Sequence, residues 1–388
     1  MGAAHALSGP AAIAIEARQA VGSQCPKVGL KRVIRGVPVT CRKVKTQGKT
    51  RLVWVADRPG PSPTPTPTAT PSATPTPTPT PAVRPQGLAE LDSGSHRWVY
   101  EDVSTRLAAM KLEPTALDVR LTPNFPGELA DGMVANYAKI GSFWSDVARP
   151  QSPVIVRMGT ELDLDWWRSQ IGQWPQMYSA IEETYARSGA FSNSANSYNE
   201  GSQFHHQFVF GTQIHPEAQR HAKFVTVPHE YTHSIQAALA GNLGSLPCWF
   251  IEGHANVYGV TVGAPDKASY EAERTRTLRR ELPMSGAWPA SSPDVIARAL
   301  TSGESREGYQ CPRSGYSIGM LAVEALVAVY GHASVSRFME ASRTQPWKAA
   351  FQETYGLEPS RFYSEVASFV IVSGQSATSG RSSLTPPP

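Results

Sequence analysis

The chain has 388 residues, a formal net charge of +4 and four cysteines. That length suits two or three domains with an ordinary buried core. So small a net charge argues against a dedicated nucleic-acid binder, and no nucleic-acid partner is expected.

The basic residues are not spread evenly. Residues 1–21 read as an atypical or truncated export segment: small and apolar, with no Lys or Arg before Arg18. Residues 22–58 hold ten Lys or Arg and one acidic residue, Asp57. They read as a small basic β module, with strands at Lys31–Ile34, Val37–Val44 and Leu52–Val55 and turns at Gly36-Val37 and Gln47-Gly48. Its basic face suits an anionic cell-wall polymer or membrane surface; the plain alternative is a solvated hairpin. Residues 59–86 form a Pro/Thr-rich linker, too dense in proline for helix or sheet and extended as polyproline II.

The cysteines are Cys25, Cys41, Cys248 and Cys311, and none forms a CxxC pair. Chain order favours the bridges Cys25–Cys41 and Cys248–Cys311, one per module; the alternative is four buried thiols. Linker and cysteines together point to a secreted or cell-surface protein.

Residues 87–373 form the main domain. Val103–Met110 and Asp131–Val147 read as helices, and Val154–Met158 and Phe204–Thr212 as strands. After residue 215 the pattern is helical: Val227–Ala240, Pro247–Gly259, Lys267–Glu281, Tyr316–Tyr330, Ala333–Thr344 and Trp347–Tyr355. Strands first and helices after imply α+β rather than a βαβ repeat. Residues 374–388 are Ser, Thr, Gly and Pro and read as a disordered tail.

The chemistry concentrates in His229-Glu230-Tyr231-Thr232-His233, an HExxH motif. On a helix, positions i and i+4 share a face, so both imidazoles reach one metal ion. Glu230 then stands beside the ion, placed to take a proton from a bound water. Gly241 ends the helix, and Pro228 is expected to stop it running unbroken back through Phe224. Glu252 follows His233 after eighteen intervening residues, room for a turn and a returning helix. Two imidazoles and one carboxylate leave a fourth zinc position open for water, as a catalytic site requires. Other divalent ions suit the same ligands.

At these residues the sequence resembles the gluzincin zinc metallopeptidases. The HExxH-x18-E spacing and the run Trp249-Phe250-Ile251-Glu252-Gly253-His254-Ala255 match that family's two metal-binding helices. The resemblance implies a zincin-like catalytic domain, with an N-terminal mixed sheet and a mostly helical C-terminal half. It implies His229, His233 and Glu252 as Zn2+ ligands, Glu230 as general base, and a peptide or protein substrate. His254 is a rival ligand, but lies two residues on and faces elsewhere, at the helix surface or in a substrate pocket. Asn256, one turn after Glu252, is placed to hydrogen-bond a ligand histidine or to be an ordinary helix position. In relatives a tyrosine opening a later helix donates to the oxyanion; Tyr316 matches that place, with Tyr309 and Tyr258 as rivals. In the family the strand at the place of Phe204–Thr212 is the sheet edge that pairs with substrate; the plain reading here is a core strand. His205 and His206 are adjacent, so they point to opposite faces and read as structural. Two alternatives stay open: a catalytically silent zinc-containing surface binding protein, and a hydrolase of non-peptide amides or esters.

Overall fold

The computed structural model describes residues 25, 27–34, 37–46, 49–56, 83–123, 125–160, 162–172, 193–200, 203–210, 216–306 and 310–379. The expected export segment, the expected linker up to residue 82, Tyr309 and residues 380–388 lie outside them. The chain divides into two units, Met1–Thr80 and Pro81–Pro388.

The first unit is an antiparallel meander of β1 (Lys31–Ile34), β2 (Val37–Thr46) and β3 (Lys49–Ala56). Cys41 pairs with Trp54 across β2 and β3, and both turn inward with Val39 and Cys25. A core this small carries little hydrophobic stabilisation, and the Cys25–Cys41 disulfide staples it.

The second unit carries a mixed sheet in the order β4-β5-β7-β6. Strands β4 (Leu117–Leu121), β5 (Val154–Thr160) and β7 (Gln203–Phe210) run parallel. Strand β6 (Asn193–Glu200) is antiparallel to β7. The class is α+β, as expected, with one βαβ crossover inside it: α2 (Gly127–Trp144) joins β4 to β5 and buries its apolar side, from Leu129 to Trp144. Of the two readings of the strand at Phe204–Thr212, the edge position implied by the resemblance is overturned and the plain core strand holds. Strand β7 is flanked on both sides, and β6 is the edge. β6 escapes a sequence reading because Asn-Ser-Ala-Asn-Ser-Tyr-Asn-Glu has no apolar alternation; its pairing with β7 makes it a strand. Two more helices precede the metal motif, α1 (His96–Ala109) and α3 (Leu164–Ile171).

From residue 216 the chain is helical. Short α4 (Pro216–His221) passes through a π turn (Ala222–Thr226) straight into α5 (Val227–Ala240). The expected break ahead of Pro228 is therefore absent. In the π turn the Val227 N–H bonds back five residues, to the Ala222 carbonyl. A regular turn would drive the Pro228 ring into the Phe224 carbonyl. Instead that carbonyl lies against Gly263, where any Cβ would overlap it.

The next helix, α6 (Cys248–Gly263), is buried at every residue and so reads as hydrophobic all round. Its chief partner is α9 (Arg313–Tyr330), reached after α7 (Lys267–Glu281) and α8 (Pro293–Ser302). Gly253 on α6 and Gly319 on α9 let the two backbones touch: a Cβ on Gly253 would overlap the Gly319 carbonyl, and one on Gly319 the Trp249 carbonyl. The Cys248–Cys311 disulfide ties the start of α6 to the entry of α9. Helices α10 (His332–Ala341), α11 (Trp347–Tyr355) and α12 (Pro359–Ser379) close the core. Helix α12 runs past the expected start of a disordered tail at residue 374, because Ser373, Gly374 and Ala377 remain buried. Gly374 gives room to the Trp288 ring. Among the described residues no single helix is long and apolar enough to cross a membrane.

Candidate metal centre

Three backbones meet at the site. Helix α5 brings His229, Glu230 and His233, α6 brings Glu252 and Asn256, and the first turn of α9 brings Tyr316. His229, Glu230, His233 and Glu252 are all buried. The ligand atoms converge: His229 Nε2 and His233 Nε2 are 3.1 Å apart, and Glu252 Oε2 is 3.5 Å from the first and 3.6 Å from the second.

The hydrogen bonds around this triangle determine where the protons are. Asn256 Nδ2 donates to the Tyr316 carbonyl at 2.6 Å, and Gln236 Nε2 donates to the Ile251 carbonyl at 2.8 Å. Carbonyls only accept, so both amides are oriented unambiguously. Their oxygens then face His229 Nδ1 at 2.9 Å and His233 Nδ1 at 2.8 Å. Amide oxygens also only accept, so both Nδ1 atoms carry the proton. In the neutral imidazoles each Nε2 is left as a bare lone pair. Glu252 Oε2 is buried with no hydrogen-bond partner. Three acceptors with no donor among them repel one another unless a cation sits between them.

The separations suit such an ion. Donor atoms about 2.0–2.1 Å from a tetrahedral zinc ion stand about 3.3–3.4 Å apart. Three protein ligands leave one position open. His229, His233 and Glu252 would hold the ion, and the donor set would accept other divalent cations as well.

Without a metal, a proton is the available cation. Burial alone would lower the His233 pKa, but the Glu252 carboxylate, aided by Glu230 and the Gln236 hydrogen bond, pushes it up to about 9. Burial alone would raise Glu252, but His233 and His229 hold it well below the usual carboxylate range. The metal-free fold thus gains stability from charged His233 that is full below the unfolded histidine value and lost as pH rises through about 9. A metal must displace that proton. Apparent metal affinity should rise about tenfold per pH unit up to about pH 9 and then level off. Competitive chelator titrations across pH 6.5–9.5 measure this, and a flat profile would refute the proton–metal exchange.

Gln236 was not singled out from the sequence, although it lies three residues after His233 and therefore on the same helix face. It braces α5 to the α6 backbone, while Asn256 braces α6 to both His229 and α9. Replacing either by Leu should weaken metal binding about 10–100-fold. Chelator competition and circular dichroism together test this: unchanged affinity in a folded variant would show that the amides do not set the imidazoles.

Tyr316 stands at the site, its ring parallel to that of His229 with centroids 6.3 Å apart. Burial, with the Glu252 and Glu230 carboxylates adding to it, pushes its pKa well above the usual value, so the phenol remains a donor. Its rival Tyr258 bonds His332 Nδ1 at 2.5 Å instead.

His254 is not at a helix surface or in a pocket. It is fully buried, stacked on Phe250, with Nδ1 3.1 Å from Gln236 Nε2. Burial lowers its pKa well below the usual value, so it is a neutral core residue. His205 and His206 do point apart. His206 bonds Tyr137 and Ser234, and His205 lies 3.0 Å from Arg157 Nη1. Burial takes them down to about 3 and about 4, respectively.

Compared with protein-family models, with curated proteins and with solved structures, the chain matches none.

Proposed function

We propose that the second unit is a zinc-dependent hydrolase of zincin-like, gluzincin type that cleaves peptide bonds. The observation that carries this reading is the convergence of the His229, His233 and Glu252 donor atoms with a buried carboxylate, Glu230, near them.

Zinc bound there would supply an acidified water and a Lewis acid for the scissile carbonyl. Glu230 lies between the two imidazoles in sequence and is not part of the donor triangle. It accepts a proton from the attacking water and returns it to the leaving nitrogen. The Tyr316 hydroxyl donates to the oxyanion as charge develops on it. Asn256 and Gln236 hold both imidazoles with Nε2 toward the ion, so no ligand has to reorient during turnover.

A peptide is favoured over other amides by β6. This edge strand lies against α5 and, among the described residues, pairs on one side only. Its free edge offers main-chain partners to an extended chain without requiring particular side chains. Two disulfides suit an extracellular setting, and the basic β module suits an anionic wall polymer or membrane surface.

The test uses purified full chain and a mixed unfolded-protein substrate. About one zinc per chain is expected, with cleavage abolished by chelator and restored by zinc. Tyr316→Phe should lower kcat about 100-fold with metal content and KM unchanged. Metal without cleavage would move the silent or non-peptide readings ahead. Absence of metal would refute the ligand assignment.

A further inference from the structure

Helix α5 presents a second face to a cavity. Tyr231 follows His229 by two residues, about 200° around α5, so it points away from the metal. There it reaches a cavity of about 260 Å³. Pro114, Ala116 and Pro150 contribute apolar wall, Thr115, Ser142 and Ser152 contribute hydroxyls, and Gly141 lines it as well.

Tyr231 is only 1% exposed. Its ring is held edge-on by Tyr137 and His206, which places the hydroxyl by packing. The hydroxyl lies at Gly141, where a Cβ would come within 3.3 Å of it and overlap Thr115. A buried tyrosine hydroxyl normally finds a partner. Among the described residues this one has none, although it opens into the cavity. At the mouth stands Arg149, anchored by Nε to the Ser145 carbonyl at 2.9 Å. Its Nη2 meets Glu113 Oε2 at 3.2 Å, with both side chains more than half exposed.

We propose that this cavity is a ligand site separate from the metal centre, which takes a small carboxylic acid with a compact one-ring body and a second acceptor at its far end. The chemistry is complementary at both ends. The phenol offers a donor inside, the guanidinium offers charged donors at the mouth, and the walls between mix Pro114, Ala116 and Pro150 with the hydroxyl-bearing Thr115, Ser142 and Ser152. A water occupies about 30 Å³ of liquid, so the cavity has room for an acid built on one ring. Glu113 already pairs with Arg149, so it competes with the incoming carboxylate. This site is independent of the hydrolase reading and stands or falls without it.

Titration calorimetry on the full chain tests it, with 4-hydroxybenzoate as probe. The acid should bind at least about tenfold more tightly than 4-hydroxybenzyl alcohol, which lacks the charge. Tyr231→Phe should weaken 4-hydroxybenzoate about tenfold while leaving benzoate unchanged. Arg149→Gln should weaken both acids, and Glu113→Gln should strengthen both. Without ligand, Tyr231→Phe should melt no lower than the parent, because it removes a hydroxyl that has no partner. An unchanged circular dichroism spectrum in all variants shows that the fold is intact. No saturable binding of 4-hydroxybenzoate, or binding indifferent to Tyr231 and Arg149, would overturn the proposal.

Discussion

Glu230→Gln should keep one zinc per chain and lose about 10²–10⁴-fold in kcat. Glutamine has nearly the same shape, so the packing of this buried position survives. What it loses is the capacity to accept a proton. The donor triangle is made by His229, His233 and Glu252 alone, so metal content should not change. KM should stay near the parent value, because the proton moves only in the chemical step. Metal analysis and steady-state rates on the same preparation decide the matter. A variant that cleaves at the parent rate would remove Glu230 from the mechanism. A variant that loses its metal would make Glu230 a ligand and break the triangle argument.

Glu252→Gln should act on the other half of the centre. Glu252 is the one anionic member of the triangle, and a four-ligand zinc site would be worth about 10–16 kcal/mol in all. A quarter share corresponds to a loss of about 10²–10³-fold in metal affinity. A second readout comes with it. The Glu252 carboxylate is what outweighs burial and raises His233 to about 9. With a neutral amide there, His233 should deprotonate at lower pH, and the pH-dependent rise in affinity should level off earlier. Chelator competition at several pH values measures both. Weaker binding with an unmoved plateau would mean that Glu252 binds metal without governing the His233 proton.

The parts that the sequence made legible share one property: their signal is local. Helix α5 has the expected bounds because its apolar spacing, its histidine pair and Gly241 all lie within one segment. Helices α7 and α11 are legible for the same reason. Both disulfides follow chain order. The parts that stayed hidden depend on distant partners. Strand β6 is polar and exists because β7 pairs with it. The π turn ahead of Pro228 depends on Gly263, more than thirty residues downstream, where a missing side chain makes room for the displaced carbonyl. At the centre itself, HExxH and the eighteen-residue gap picked out the three residues that converge, His229, His233 and Glu252. They did not show which way the Asn256 and Gln236 amides face, and that orientation leaves both Nε2 atoms bare. His254 was misplaced because it lies close to Glu252 in sequence. Its ring instead lies between Phe250, Trp144 and Tyr258.

The Cys248–Cys311 bridge bears on how samples must be made. Cys248 lies one turn before Glu252, and Cys311 two residues before the helix that carries Tyr316. The bridge spans 63 residues of chain. In the chain-entropy view a loop of that length is worth about 4 kcal/mol, a large part of the stability of an ordinary domain. Protein produced in a reducing cytoplasm would present Glu252 and Tyr316 on helices joined by packing alone. Zinc occupancy measured on such material would report the redox history of the preparation as well as its ligands, so only oxidised protein gives a fair assay of this centre.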